Sequence, residues 1–463
     1  MDLQFGNRII IFVKLLQHYT IQEIMKIVKL LFTTLLSVFS CICSYAQQSW
    51  TLEECIDYAH RNNLQVKQQE VSVRQAENSV KQSKLDFIPT FNASLGYNLN
   101  WGKSVNINDL EITNQLTQSA TANLGASTPI LEGFAKHNTL KSNRTQLQIS
   151  QQEVERLKNE ITISITQAYL QLLLSIEIEK SARESFNSVA RQVERTALLV
   201  EAGSQPYSAL LDIEAQLSTE RVQLVAAGND IKSNRLTLLQ LMDIQDDSNF
   251  TIAVPEIDDT LGVFIKESIN SIYNSATTLP QIRTAELQLS KSRYDYKIQK
   301  GYLFPSISFN AGYGTYFSDS QHSRFFDQFN ENRNPSMGFS LSIPIFNGWR
   351  RSAAVRNAGL NVESARIELK RRHHTLYKEI QMAANNAENS YEKYKAALHN
   401  MKASEESFEY VRNKFNAGTL NGTDYIVAKS NLFKAQSEFY QTKFQYIFQL
   451  KILDFYKGTP IKL

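Results

Sequence analysis

The sequence predicts a mostly α-helical protein that also carries membrane-type β-strands and is built from two internal structural repeats. Three observations lead to this prediction: self-similarity at an offset of about 215 residues, four alternating segments without charged residues, and two runs of about 70 residues almost free of helix breakers. The chain has 463 residues, 42% of them hydrophobic, so it is too apolar for disorder. Its formal charge of +3 gives no reason to expect nucleic acid as a partner.

Residues 1–46 are predicted to be an N-terminal extension followed by a secretory signal peptide. Residues 25–29 form a short basic segment, residues 30–42 an apolar stretch, and residues 44–46 a site for cleavage after Ala46. A membrane-anchoring helix and lipid modification at Cys41 are the alternatives. Cleavage would leave Cys55 as the last cysteine, so no internal disulfide is expected. No uninterrupted run of 18 apolar residues follows Ala46, so any membrane contact should use strands.

The chain is predicted to contain two repeats, residues 47–245 and 263–463, joined by a linker at 246–262. Three short motifs recur in the same order in both parts. In the first repeat they are Phe87-Ile88-Pro89, Pro129-Ile130-Leu131 and Ala202-Gly203-Ser204. Their counterparts in the second repeat are, in the same order, Phe304-Pro305, Pro344-Ile345-Phe346 and Ala417-Gly418-Thr419. Matches so far apart indicate a duplicated domain-sized unit and not a short solenoid repeat.

Each repeat should carry one pair of β-strands, at 88–101 and 118–131 in the first repeat and at 303–317 and 336–346 in the second. Apolar residues alternate with small polar ones; in the first strand the apolar set is Phe91, Ala93, Leu95, Tyr97, Leu99 and Trp101. These four segments contain no charged residue, whereas solvated sheet faces usually carry lysine and glutamate. The pattern favours a membrane barrel with a wet interior, and a soluble sheet with one solvated face is the alternative.

Each strand pair is followed by a run of about 70 residues that contains no proline and, apart from Gly359, no glycine. Such runs predict helices about 100 Å long, with apolar residues at the three- and four-residue steps of coiled coils. Each long helix should turn at 203–206 or 418–422 and return as a shorter helix, 207–241 or 421–457. A leading helix, 51–87 or 264–301, stacked on the returning helix would match the long helix in length.

The strand count predicts an oligomer. Four strands cannot close a barrel alone, and an open sheet edge is not tolerated in lipid. Two chains would supply eight strands, whose interior is filled by side chains, while three would supply twelve and leave a pore. The expected assembly is therefore a homotrimer in which each chain gives one third of a 12-stranded β-barrel, continued by a long antiparallel coiled-coil tube of helices.

The order of these features resembles the TolC-like outer-membrane efflux and secretion channels. The resemblance rests on the signal peptide, the opening residues 50–59, Asn62-Asn63-Leu64, the two strand pairs and the two glycine turns, and spans about residues 50–458. It implies a passive trimeric export duct surrounded by outer-membrane lipid, with its tunnel in the periplasm. The implied partners are a periplasmic adaptor protein and an inner-membrane pump, in a tripartite efflux pump or a type I secretion system. It implies no enzymatic activity, catalytic residue or cofactor. A soluble periplasmic coiled-coil scaffold or adaptor protein is the alternative.

The resemblance also indicates where the adaptor contacts and the gate lie. The expected adaptor-contact helix tips are Gly203, Ser204, Gly418 and Thr419. The expected constriction residues are Asp424 and, in the first repeat, Asp212; three copies of a carboxylate around the axis would attract cations. Other gate positions of the family depart from its pattern here, at Leu420, Val427 and Ala209, so the family's gate contacts do not carry over unchanged. The alternative for Asp424 is a helix-start carboxylate on the positive end of the helix dipole.

The remaining reactive side chains lack the spacing of a site. His373 and His374 are adjacent and would diverge by about 100° on a helix, so no metal site is expected there. Cys55 has no histidine near it in the sequence other than His60, and thiol catalysis is not expected. The basic run at 370–374 lacks interleaved aromatic residues and is interpreted as a solvated helix face.

Overall fold

The computed structural model describes residues 49–105, 112–245, 250–255, 261–262, 264–321, 323–417, 419–420 and 422–463. The predicted extension and signal peptide at 1–46, and the tip residue Gly418, lie outside these residues. Most of the predicted linker lies outside them as well.

Each half of the chain places two antiparallel strands between a broken leading helix and a long helical hairpin. The first half contains β1 (Ser49–Trp50), α1 (Leu52–Asn62), α2 (Leu64–Leu85), β2 (Thr90–Val105), β3 (Ile112–Glu132), α3 (Ala135–Glu201) and α4 (Tyr207–Met242). The second half contains β4 (Thr251–Ile252), α5 (Ile269–Ala276), α6 (Pro280–Gly301), β5 (Ser306–Ser318), α7 (Phe325–Glu331), β6 (Asn334–Ser342), α8 (Arg350–Asn416) and α9 (Gly422–Lys457). Both long helices have 67 residues and both returning helices 36, so the duplication extends to element length.

The leading helices are broken, whereas the sequence periodicity predicted continuous helices. Asn63 leaves the helical conformation at ψ 128°, and its side chain accepts a hydrogen bond from the Gln65 amide at 2.9 Å, which starts α2. Its amide group also donates to the Leu241 carbonyl at 2.9 Å. In the second half, Pro280 occupies the first turn of α6, where its missing N–H costs nothing.

The strand bounds also differ from the prediction. β2 and β3 extend further than expected, to Val105 and from Ile112. β6 ends at Ser342, four residues short of the predicted end, because Pro344 has no N–H to continue the ladder. The unpredicted helix α7 lies in the connection between β5 and β6, where the side chain of Gln328, which is 1% exposed, holds the end of β5 by bonding to the Ser318 amide and carbonyl.

The four long strands form one antiparallel sheet in the order β2-β3-β5-β6. Residues opposite each other on neighbouring strands share a face of the sheet. Two rows of such residues lie on one side: Ala93–Leu124–Tyr313 and Phe91–Ala126–Ala311–Met337. The intervening register, Asn92–Gly125–Gly312–Ser336, lies on the other side. The sheet therefore has one apolar and one polar face, as the alternation predicted, with charged side chains near the strand ends, Lys103 on the apolar side and Glu132 on the polar side.

The helices form four columns in the order of the strands. α3 packs against α2 and α4 on one side and against α6 and α9 on the other, while α8 packs against α6 and α9. The leading and returning helices are stacked end to end, as predicted: the Leu64 amide donates to Asp243 Oδ2 at 2.9 Å. In the second half Lys457 of α9 pairs with Glu267, just before α5, at 2.7 Å. One outer column of the chain is therefore formed by α2 and α4, and the other by α8.

The largest core surrounds the junction of the stacked helices. Its fully buried members include Leu52, Ile165, Tyr169 and Leu238. The Tyr169 hydroxyl lies 2.7 Å from the Ala253 carbonyl and 3.1 Å from that of Trp50, which joins the β1–β4 ladder to α3. An 18-residue window of α3 is apolar enough to cross a membrane by length and composition, but half of it is buried inside the chain. This helix therefore has the character of a core helix.

Candidate channel and gate

The polar face of the sheet is built from amides, hydroxyls and glycines. Ser127 Oγ lies 2.8 Å from Asn310 Oδ1, and Asn310 Nδ2 lies 3.2 Å from Ser340 Oγ, which links three strands. A Cβ on Gly314 would lie 2.7 Å from Asn123 Oδ1, so glycine there leaves room for the asparagine. The face borders a hollow of about 600 Å³. Such a surface can be wetted. It is free of charged side chains over Thr90–Trp101 and the positions paired with them, and it ends at the carboxylate of Glu132, which lies opposite Ser306.

The opposite face of the sheet is apolar and uncovered within the chain. Leu95 is 86% exposed and Phe339 73% exposed. Side chains of this size are rarely left in water as a continuous surface, so the face requires an apolar environment. The outer strands β2 and β6 each have one unpaired edge in the sheet. They run in opposite directions, so β6 of one chain can continue an antiparallel ladder with β2 of another.

Both helical hairpins turn through the same backbone motif. At the first tip the Ser204 amide donates to the Leu199 carbonyl at 2.8 Å, and Gly203 has a φ of +73°. At the second tip the Thr419 amide donates to the Lys414 carbonyl at 3.1 Å, the corresponding bond one repeat later. The first tip is a Schellman motif, in which the left-handed Gly203 ends the helix, and the described residues of the second tip make the corresponding hydrogen bond. Three of the predicted tip residues, Gly203, Ser204 and Thr419, thus lie at hairpin turns, and the fourth, Gly418, is outside the described residues.

A side-chain contact links the two tips. Arg195 of α3 donates from Nη1 to Asn416 Oδ1 at 2.7 Å and from Nη2 to the Asn416 carbonyl at 3.2 Å. Asn416 is the last residue of α8, so its carbonyl carries the negative end of that helix dipole. Neither residue stood out in the sequence, because an arginine and an asparagine 221 residues apart carry no local signal.

The two predicted gate aspartates lie on different hairpins. Asp424 is exposed in the first turn of α9 and lines a groove of about 300 Å³ with small residues of α8, among them Ala403, Ser404 and Ser407. Its neighbour Tyr425 is buried and stacks on Phe415 with 4.8 Å between the ring centres, and Asp424 lies about 100° away from it around α9. Asp212 is exposed near the start of α4.

Further from the tips, polar side chains are buried where the hairpins meet. Glu220 of α4 is 3% exposed, accepts from Gln216 Nε2 at 2.7 Å through Oε1, and has no partner for Oε2 among the described residues. Lys429 of α9 lies 5.1 Å from the centre of the Phe408 ring. Burial lowers the pKa of Lys429, and the negative charges of Glu220 and Glu184 oppose that shift. The contact between the hairpins is therefore partly polar.

Side chains that could support other chemistry lie in structural positions. Cys55 is fully buried, and burial raises the pKa of its thiol to about 12. His373 Nδ1 lies 2.9 Å from the Tyr273 hydroxyl, and Arg371 and Arg372 of the basic run both pair with Glu368. In the part of the chain that the structure describes, no group of three potential metal ligands comes together.

Known proteins match this architecture. The chain matches the family model described as "Outer membrane efflux protein" over residues 55–243 and 272–458. It is 22% identical over 326 residues to the outer membrane efflux protein BepC of Brucella suis, covering 70% of this chain and 67% of that protein. It is 20% identical over 452 residues to the outer membrane protein TolC of Escherichia coli, covering 91% and 84%. The crystal structure of the CmeC outer membrane channel of Campylobacter jejuni superimposes with a TM-score of 0.74 at 17% identity, covering 89% and 86%.

Proposed function

We propose that three copies of this chain form an export duct, because the chain belongs to the outer membrane efflux protein family. It is an outer-membrane channel for efflux or type I secretion, with its helical tunnel in the periplasm. Its family is one of transport proteins. The observation that carries the trimer is the four-stranded sheet with an exposed apolar face and two unpaired edges. Three chains would join β6 to β2 three times and close twelve strands around the polar face.

The helical columns support the same closure. Exposed apolar residues lie on both outer columns: Leu211, Val222 and Val225 on α4, and Leu360, Ile367 and Met382 on α8. Since the column order follows the strand order, closing the sheet brings α8 of one chain against α2 and α4 of the next. Apolar stripes on both surfaces would then be removed from water, which stabilises the assembly by about 25 cal/mol per Å² buried.

We further propose that the hairpin tips bind a periplasmic adaptor protein, which connects the duct to an inner-membrane pump. The proposed contact residues are Gly203, Ser204, Gly418 and Thr419. The tips are the parts of the chain furthest along the helical columns from the sheet, about 100 Å away at 1.5 Å per residue. Each ends in a short turn, which leaves backbone groups for a partner to bind.

For the gate, we propose that Asp424 forms the constriction, with Asp212 contributing from the first hairpin, and that Arg195 holds the tips closed. The groove beside Asp424 is lined by small side chains, so a hairpin could move there without a bulky residue in its path. Opening would require the two hydrogen bonds from Arg195 to Asn416 to break. The family's polar latch is reduced or replaced here, since this chain has Leu420, Val427 and Ala209 at family gate positions, and the Arg195 contact would take its place.

Planar-bilayer recording tests the gate. Asp424→Asn should shift the reversal potential in a KCl gradient toward zero, because it removes three carboxylates from the constriction. Arg195→Ala should raise the single-channel conductance. Matched controls are Asp230→Asn, which removes an exposed carboxylate far along α4, and Arg183→Ala, which removes an arginine that pairs with Glu179 within α3. If Asp424→Asn and Asp230→Asn give the same reversal potential, Asp424 has no role in the constriction and acts only as a helix-start carboxylate.

A further inference from the structure

Positive charge is concentrated where the strands pass into the helices. Over residues 81–86, 132–144, 291–303 and 347–356, lysines and arginines outnumber aspartates and glutamates by twelve to three, whereas the whole chain has 49 against 46. These four ranges flank the same end of the sheet, since α2 and α6 lead into β2 and β5, and β3 and β6 lead into α3 and α8. We call this region the basic belt.

The basic belt is present in both repeats. α2 and α6 each have 22 residues, and Lys84 and Lys300 occupy the same place, one residue before the end of each helix. α3 and α8 each have 67 residues, and Lys141 and Arg356 are both the seventh residue. The two repeats differ at most other positions, so basic residues retained at matched places indicate a common requirement.

The matched side chains are exposed and uncompensated. Lys84, Lys141, Lys300 and Arg356 are all exposed, and in the described part of the chain none of them forms an ion pair. Elsewhere on the long helices arginines are neutralised locally, as Arg156 is by Glu153 and Glu160. Four exposed cations without acidic partners are suited to an anionic ligand.

Two neighbouring basic residues have a structural role and show what holds the belt together. Lys136 donates to the Asp86 carbonyl at the end of α2, and Arg351 donates to the Tyr302 carbonyl at the end of α6. A cation at the negative end of each leading helix is favourable, and the arrangement is the same in both repeats. In each repeat the bond joins the start of the long helix to the end of the leading helix, close to Lys84 and Lys141 in the first repeat and to Lys300 and Arg356 in the second.

Exposed aromatic residues mark the same level. Phe134 and Trp349 follow Gly133 and Gly348 and both have left-handed backbone conformations, with φ of 61° and 62°. Such a conformation is unfavourable for an aromatic residue, yet it occurs at the start of both long helices. Phe134 is 72% exposed and Trp349 60% exposed. Aromatic residues of this kind mark the membrane interface of barrels.

We propose that the basic belt binds the phosphate headgroups of anionic phospholipids in the periplasmic leaflet of the outer membrane. The proposal rests on the membrane barrel proposed above. Lys84 and Lys300 lie at the ends of their helices, and Lys141 and Arg356 lie about 10 Å into theirs at 1.5 Å per residue. The headgroup layer of a bilayer is about 5–8 Å thick on each side, and a lysine side chain can reach several ångströms toward it. Lipid bound there would fix the height of the barrel in the membrane.

A lipid titration of the purified trimer in nonionic detergent tests the proposal. Dioleoylphosphatidylglycerol, dioleoylphosphatidylcholine or inorganic phosphate is added, and the midpoint of thermal unfolding is followed. The test variant carries Lys84→Gln, Lys141→Gln, Lys300→Gln and Arg356→Gln, which keep helix-forming side chains and leave Lys136 in place. We expect phosphatidylglycerol to stabilise the wild-type trimer more than phosphatidylcholine, and the variant to need about fivefold more of it per contacting residue removed.

The control variant loses the same number of charges from exposed lysines far from the belt. It carries Lys180→Gln, Lys393→Gln, Lys395→Gln and Lys402→Gln, which lie more than about 50 Å further along the long helices. Its response to phosphatidylglycerol should equal that of the wild type. If the fourfold belt variant fails to assemble, the double variant Lys84→Gln with Lys300→Gln takes its place.

Three results would overturn the proposal. They are equal phosphatidylglycerol dependence in the belt and control variants, equal stabilisation by phosphatidylcholine, and full stabilisation by inorganic phosphate alone. Each of these leaves a trimer that is assembled and can be titrated, so the duct itself would stand. Failure of the wild-type chain to form an outer-membrane trimer would instead contradict the proposed function.

Discussion

A charge placed on the apolar face of the sheet should prevent assembly, and the same charge one residue away should not. Leu95 is 86% exposed on the apolar face, while Ser94 next to it lies on the polar face with Asn123 as its cross-strand neighbour. Leu95→Lys therefore tests the orientation of the whole sheet. Ser94→Lys is its matched control, because it adds the same side chain to the same strand.

The expected cost follows from the depth of Leu95. It is five residues beyond Thr90, about 17 Å along the strand at 3.4 Å per residue and about 13 Å in height at a barrel tilt of about 40°. The apolar band of a barrel is about 25 Å tall, so Leu95 lies near its middle. A lysine there costs about 2–4 kcal/mol per chain, or about 6–12 kcal/mol in a trimer if the three sites act independently.

The assay is outer-membrane fractionation followed by electrophoresis with and without heating, which separates assembled trimer from monomer. Leu95→Lys should remove most of the trimer from the outer-membrane fraction, and Phe339→Lys should do the same from the second repeat. Ser94→Lys and Ser340→Lys should assemble. Equal assembly of Leu95→Lys and Ser94→Lys would refute the assignment of the lipid face, and a wild-type chain in the soluble fraction would favour a periplasmic scaffold.

Two further predictions concern packing and pH. Gly301→Ala should reduce the unfolding free energy by about 1–3 kcal/mol, because the added Cβ would lie 2.7 Å from the Gly133 carbonyl oxygen. Gly228→Ala is its control, because Gly228 has open space around it and alanine there should stabilise the helix by about 0.5–1 kcal/mol. Urea unfolding measures both changes. Burial lowers the pKa of His60, whose Nε2 lies 2.9 Å from Thr162 Oγ1, so the unfolded chain takes up a proton at higher pH than the folded one. The thermal midpoint should therefore fall as pH drops below about 6.5, and less so in His60→Gln; equal pH dependence would contradict this assignment.

The long elements were predictable because their signals are local. The absence of proline between Gly133 and Gly203 fixed one 67-residue helix, and the left-handed glycine at 203 fixed its end. The alternation around Leu95 fixed both faces of the sheet, since a period of two leaves no other assignment. In the structure α1 begins with a capping box between Thr51 and Glu54, with bonds of 2.9 and 3.2 Å, so this helix start also depends on residues close in the sequence.

The contacts between distant segments were not predictable from the sequence. Asn63 breaks the leading helix because the end of α4 offers its amide the Leu241 carbonyl, 178 residues away. The Arg195 contact with Asn416 depends in the same way on the order of the helical columns. Both depend on tertiary neighbours, and a single sequence contains no periodicity that reports them. Asp424 was selected because Gly418 and Asp424 resemble a family pattern at a helix start, which is a local feature, and its role in the gate stays a prediction.

The two repeats share a backbone but not a core, and the difference bears on gating. Glu220 and Ala435 are both the fourteenth residue of a 36-residue returning helix, and both are almost fully buried. A methyl group at this place is favourable, whereas a buried carboxylate oxygen without a hydrogen-bond partner costs free energy. The positive charge described as interacting with it is that of Lys429, on the other hairpin. At this position the first hairpin therefore gains less from burial than the second, and a motion that lets water reach Glu220 would recover part of that cost.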